Sequence, residues 1–125
     1  MILDTNGLSA LAEGDSRLEP ILRKATQIAV PVMVLGEFRY GIQQSRERQR
    51  YEHWLVEYLP KFRVVNVDEQ TTTSYAAVRG ELKRAGTPIP SNDVWIAALC
   101  RQHSLPLLSR DRHFDFVPGL RRIDW

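Results

Sequence analysis

Hydrophobic positions along this chain form short unbroken runs, separated by stretches where apolar residues recur every three or four positions. Met1–Leu3 is such a run and reads as a very short buried strand. In GDSRLEPILRKA, Leu18, Ile21, Leu22 and Ala25 have the spacing of one helical face. TQIAV is strand-like and runs into Pro31, which a helix tolerates in its first turn because that turn has no N–H partner to lose. VMVLGEFRYGI continues as a mostly apolar helix. RERQRYEHWLVEYL is charged apart from one stripe of Tyr51, Trp54, Leu55, Tyr58 and Leu59, and Pro60 ends it.

RVVNV, a run of β-branched residues, predicts an interior strand. Asp68 is placed as the N-cap of a helix carrying Tyr75, Val78, Leu82 and Ala85. Lys83 and Arg84 in the last turn, Gly86 after it and Pro88 beyond mark its end. SNDVWIAALCRQHS predicts a second mostly apolar helix, PLLS a short strand, and RRIDW a final one. Strands separated by helices favour a parallel sheet covered on both faces. With no repeat, low-complexity tract or linker, the expectation is one α/β domain over residues 1–125.

Composition adds limits. The chain has 125 residues, 43% apolar and 26% charged, which suits an ordinary globule with a real core. No run has transmembrane length and no leader pattern is visible, so no membrane association is expected. The single Cys100 can form neither an intrachain disulfide nor a cysteine-based zinc site, and a reducing, cytoplasmic setting is expected. The net charge of +2 does not by itself point to nucleic acid. The kind of base says more: of 17 basic residues only Lys24, Lys61 and Lys83 are not Arg. The Arg guanidinium matches phosphate geometry, although an Arg-rich genome would give the same bias.

The acids carry the chemistry. In an open parallel sheet, ligands gather beyond the carboxyl ends of the strands. Asp4 follows the first strand, and Asp111 lies just past PLLS. Glu37 stands on the mostly apolar helix after Pro31, sharing a face with Met33 and Tyr40. A carboxylate there requires a partner, an ion or a pocket. Gly36 and Gly41 each cost about 1 kcal/mol of helix propensity. That cost suggests close approach by other groups, or simple helix packing. Asp93 falls in the first turn of its helix, where an acid complements the dipole, with Ser91 or Asn92 available as the cap. Asp15 and Asp68 suit turn and cap roles.

Each acid has its own explanation, but all four occupy strand ends or helix starts. Converging without bases, they would repel and raise one another's pKa values. A divalent cation removes that difficulty, and oxygen ligands suit Mg²⁺ or Mn²⁺. No Cys/His set supports zinc. His53 and His103 read as surface residues, and His113, beside Asp111 and Asp115, is a site candidate against the ordinary reading of one more surface histidine.

The segments LDTN, VLGEFRYG, NDVWIAAL, LLSRDRHF and GLRRIDW occur in an order and spacing that resemble the PIN-domain ribonucleases, specifically the VapC toxin type of bacterial toxin–antitoxin pairs. The resemblance spans nearly the whole chain. It implies a compact three-layer α/β/α sandwich with a central parallel sheet, and Mg²⁺- or Mn²⁺-dependent cleavage of RNA. Matched by position, Asp4, Glu37, Asp93 and Asp111 are the acidic quartet that holds the metal and carries catalysis. Asn6 and Ser109 match supporting polar positions, Ser109 where the family often has Thr, and Asp115 matches a more variable extra acid. The implied partners are an RNA substrate, a small VapB-like antitoxin that covers the site, and a second copy in a homodimer. The Tyr51–Leu59 stripe would meet either protein partner, or else form the core face of its helix. Arg39, Arg110 and Arg112 flank the acids and are candidate contacts to the RNA backbone, which position a strand without reading it.

Three other readings compete. A housekeeping PIN nuclease for RNA processing would lack an antitoxin. An aspartate-nucleophile phosphotransferase would want an acid at position 6, which is Asn. A non-catalytic RNA- or protein-binding module on the same fold would not need all four acids.

Overall fold

The apolar runs become five parallel strands of two or three residues. A computed structural model describes residues 1–125, with β1 at Ile2–Leu3, β2 at Ala29–Pro31, β3 at Arg63–Val65, β4 at Leu107–Leu108 and β5 at Arg122–Ile123. The helices are α1 (Thr5–Ala12), α2 (Glu19–Arg23), α3 (Val32–Gln44), α4 (Arg48–Tyr58), α5 (Glu69–Ala85) and α6 (Ser91–His103). The sheet order is β3-β2-β1-β4-β5. Ile2 lies opposite Ala29 on one side and Leu107 on the other, and Leu3 opposite Leu108. All five of these residues are fully buried, so the sheet centre is also the centre of the core.

This order fixes the layers. From β1 the chain winds outward through β2 to the edge strand β3, then returns past β1 to reach β4. Right-handed crossovers therefore put α1–α4 on one face and α5–α6 on the other. The result is a single-domain α/β/α sandwich. The winding reverses between β1 and β4, and at such a switch point the connections diverge to leave a crevice at the carboxyl edge.

Several elements differ from their expectations. The helix α1 has no strong sequence signal, because Thr, Asn and Gly are poor helix formers. It forms because Asp4 caps it, accepting from the Gly7 N–H at 2.8 Å, and because Leu8, Ala10 and Ala12 are buried. GDSRLEPILRKA becomes a 3₁₀ turn, Ser16–Leu18, capped by Asp15, followed by the short α2. RVV is an edge strand rather than an interior one, with Arg63 and Val64 exposed. β-Branched composition reports fit to a pleated surface, not cover on both sides. Neither Ser91 nor Asn92 caps α6. Its cap position is Pro90, with no side-chain bond.

The aromatic stripe of α4 is the core face. Leu55 is buried, and Trp54 packs on Phe38, Tyr58 and Phe62 with ring centroids 5.9, 5.2 and 6.1 Å apart. Helix α5 follows its expected bounds. Asp68 and Thr71 form a reciprocal capping box, and Gly86 ends the helix at φ 71°. Gln102 of α6 donates to Asp68 at 3.0 Å and accepts from Thr71 at 2.6 Å, tying the two helices together.

The glycines beside Glu37 are not sites of close approach: a Cβ on Gly36 or Gly41 would meet no atom within 4 Å. Gly7 is the tight one, where a Cβ would lie 3.0 Å from the Leu108 carbonyl oxygen. Two substitutions should separate these cases in urea unfolding. Gly36→Ala is expected to stabilise the fold by about 0.5–1 kcal/mol, the usual helix gain where space is free. Gly7→Ala is expected to destabilise it by about 1–3 kcal/mol, because the first turn of α1 must back away from β4.

Candidate active site

Two adjacent strands end in the first pair of polar side chains. Asp4, only 5% exposed, leaves β1, and the fully buried Ser109 leaves β4. The Ser109 hydroxyl donates to Asp4 Oδ2, while Oδ1 takes the Gly7 N–H. Ser109 Oγ also accepts from the Asp111 N–H at 2.9 Å, so one hydroxyl joins Asp4 to the loop that presents Asp111. Burial pushes the Asp4 carboxyl above its ordinary value, outweighing the hydrogen bonds from Ser109 and Gly7, and the Asp111 charge adds to the rise.

Asp111 caps the 3₁₀ turn Arg112–Phe116 by accepting from the His113 N–H at 2.9 Å. The same turn brings His113 Nδ1 to 3.1 Å from Asp111 Oδ1 and 3.9 Å from Asp93 Oδ2. Asp93 reaches in from the first turn of α6. One ligand atom from each of Asp93, Asp111 and His113 lies within 4.8 Å of the others, a spacing that can hold a divalent ion. Asp93 is pushed up to about 6, first by burial and then by Asp111, with His113 opposing and Asp4 and Glu37 adding smaller rises. A cation here would relieve that repulsion, so the donor set fits one.

Glu37 faces this group from α3. Its Oε2 accepts from the Thr5 hydroxyl at 2.5 Å and its Oε1 from the Asn92 amide. With Thr5, Ser9, Glu13, Gly41 and Tyr51 it lines a cleft of about 270 Å³. A larger cavity of about 690 Å³ lies between the C-terminal half of α6 and residues 117–121, and contains none of these acids.

The side chains of the remaining candidates do not join this hydrogen-bonded group. Asn6 is exposed, and its side chain forms no hydrogen bond to a site carboxylate. Asp115 is taken by Arg122, Nε to Oδ1 at 2.7 Å and Nη2 to Oδ2 at 3.0 Å, which holds its carboxyl below the ordinary range. Arg110 lies over the Trp125 ring at 4.4 Å and 3.8 Å from Asp15. Arg39 and Arg112 are exposed. His53 is exposed as expected, but His103 is half-buried, with Nε2 buried and unpartnered.

Sequence reasoning left three residues outside the site: Thr5, Asn92 and Arg122. Thr5 directly follows Asp4 and Asn92 directly precedes Asp93, and that adjacency to an acid was the available signal. Arg122 also donates to the Ser109 carbonyl at 3.0 Å, bracing the end of β4, and nothing local in RRIDW marks that contact.

A family model described as PIN domain matches residues 1–120. The chain belongs to the PIN-domain family. It is similar to "Ribonuclease VapC4" of Mycobacterium tuberculosis, 27% identical over 110 residues that cover 86% of this chain and 85% of the relative. It is also similar to the "tRNA(fMet)-specific endonuclease VapC" of Salmonella typhimurium, 27% identical, with 80% of this chain and 76% of the relative covered. Its fold superposes on a DNA-bound VapBC structure from Salmonella typhimurium with a TM-score of 0.85 at 25% identity, covering 99% of this chain and 96% of the other.

The raised Asp93 pKa has a definite sign. Between the ordinary value of 3.8 and about 6 the folded, metal-free chain binds more protons at Asp93 than the unfolded chain does. This group therefore makes stability fall as pH rises through that window, and above about 6 its full penalty remains. Asp93→Asn should raise the melting temperature of metal-free protein at pH 7.5 and leave it nearly unchanged at pH 4. Mn²⁺ affinity of the unaltered protein should rise by up to about tenfold per pH unit below pH 6, because binding displaces that proton, and titration calorimetry at several pH values would show it.

Proposed function

We propose that this PIN-domain chain is a Mg²⁺- or Mn²⁺-dependent endoribonuclease that acts as the toxin of a toxin–antitoxin pair. The observation that carries the reading is the meeting of Asp4, Asp93 and Asp111 at the switch point of the sheet, with Asp93 pushed up to about 6. Relatives named as VapC ribonucleases support the reaction class, and structural neighbours named as VapBC support the pairing with an antitoxin. The proposed partners are an RNA substrate, a VapB-like antitoxin and a second copy of the chain, all met in the cytoplasm.

Asp93 and Asp111 would hold the ion, with His113 within reach and Asp4 behind them, fixed by Ser109 and Gly7. When bound, a divalent ion supplies an activated water and offsets charge growing on the phosphate oxygens. The chain itself contributes geometry. The buried hydrogen bond from Ser109 to Asp4 ties the end of β4 to the end of β1, which would limit movement of the acids as the substrate arrives. Exposed Arg39 and Arg112, together with Arg110 over the Trp125 ring, would steer the RNA backbone across the acids.

Purified protein should cleave single-stranded RNA with Mg²⁺ or Mn²⁺ and lose that activity in excess EDTA. Asp93→Asn and Asp111→Asn should each reduce the rate by more than about a hundredfold while retaining native circular dichroism. Expression of the chain alone should arrest growth, and co-expression with the neighbouring small open reading frame should relieve it. Cleavage undiminished by EDTA, in protein shown to be metal-free, would overturn the mechanism. No arrest on expression alone would overturn the toxin role.

A further inference from the structure

Glu37 is the exposed site acid whose two oxygens are both held by side chains from other helices. A glutamate on the open side of a helix ordinarily samples several rotamers. Here both of its oxygens are engaged: Thr5 donates to Oε2 at 2.5 Å, and the Asn92 amide donates to Oε1. The two donors lie 32 and 55 residues away in the chain. They come from the starts of α1 and α6, so three helices converge on one carboxylate.

The choice of donors matters. A Lys or Arg would also fix Glu37, but would neutralise its charge. A hydroxyl and an amide orient it and leave the charge intact. Each carboxylate oxygen can accept more than one hydrogen bond, so capacity remains on the side facing the cleft. Helix α6 has no side-chain cap, and Asn92, a good capping residue, is directed across to Glu37 instead. Glu37 also stands outside the close group formed by Asp93, Asp111 and His113.

We propose that Thr5 and Asn92 are positioning residues that clamp Glu37 as a fixed hydrogen-bond acceptor for a water or ribose hydroxyl in the cleft, rather than as a direct ligand of the ion. The inference rests on the nuclease reading above and assigns Glu37 a separate task within it. Asp93 and Asp111 set the affinity for the ion. Glu37 orients a reacting or neighbouring O–H group, and its effect depends on being held still. The adjacency to Asp4 and Asp93 couples the two tasks, since moving either strand end or helix start would shift a clamp residue too.

The test combines kinetics with metal binding in Thr5→Val, Thr5→Ser, Asn92→Ala, Glu37→Ala and the double variant Thr5→Val/Glu37→Ala, using a short single-stranded RNA and Mn²⁺. Thr5→Val and Asn92→Ala should each lower kcat by about 10- to 100-fold, the usual cost of losing an orienting partner. KM for the RNA and Mn²⁺ affinity by titration calorimetry should stay within about threefold of the unaltered protein. Thr5→Ser keeps the hydroxyl and should recover most of kcat. In the Glu37→Ala background, Thr5→Val should cost nothing further, because its role passes through Glu37. Asn92 is exposed, so Asn92→Ala remains a fair test even if Thr5→Val fails to fold. An unchanged kcat in Asn92→Ala would overturn the clamp. So would Mn²⁺ affinity falling by about tenfold or more in Glu37→Ala, which would make Glu37 a direct ligand. An unaltered protein that neither binds Mn²⁺ nor cleaves RNA would overturn the nuclease reading itself, a result separate from a failure of the clamp.

Discussion

The buried hydrogen bond from Ser109 to Asp4 spans 105 residues and sits where the sheet reverses its winding. Much else depends on it. β1 and β4 contribute only two residues each, so the backbone ladder between them is short. The hydroxyl adds a contact just past the last paired residues. It partners a carboxylate that would otherwise be buried at high cost, and the Asp111 N–H converges on the same oxygen. Removing it would leave Asp4 with one donor in an apolar setting.

The site departs from the rules that stabilise the rest of the fold. Several acids elsewhere are matched: Asp68 by its capping box, Asp15 by Arg17, Asp115 by Arg122, and Glu81 by Arg101. At the switch point Asp93 and Asp4 sit at raised pKa values with no Lys or Arg in contact, and His113 is the nearest base. An arrangement that costs folding energy and contains a concave edge is where a binding function is expected. The matched acids around it show that the chain has cations enough to neutralise the cluster and places them elsewhere.

The strands, α3, α5 and α6 were legible in the sequence because their signals are local: apolar runs, period, Asp68 and Gly86 as end marks. Helix α1 was not, because it stands on a cap and on burial instead of propensity. The edge position of β3 was hidden for a different reason, since sheet order is a property of the whole chain. Asp4 and Asp111 could be placed on one edge from their distance to the strand ends. Glu37 could be marked as needing a partner, but Thr5 and Asn92 could not be named, because those contacts are made only once three helices have packed. The diversion of Asp115 to Arg122 has the same cause: a seven-residue separation that only the returning C-terminal strand closes.

The pairing of β1 with β4 also sets an order in time. Asp4 is synthesised before the strand it must lie beside, which follows more than a hundred residues later. Contacts so distant in the chain form late, after the local helices. Until Leu107 and Leu108 settle against Ile2 and Leu3, a nascent chain has Asp4 without Ser109, and Asp93 without Asp111. A partly synthesised molecule therefore carries single acids and no assembled cluster. The topology completes the site only once β4 has been made and has paired with β1.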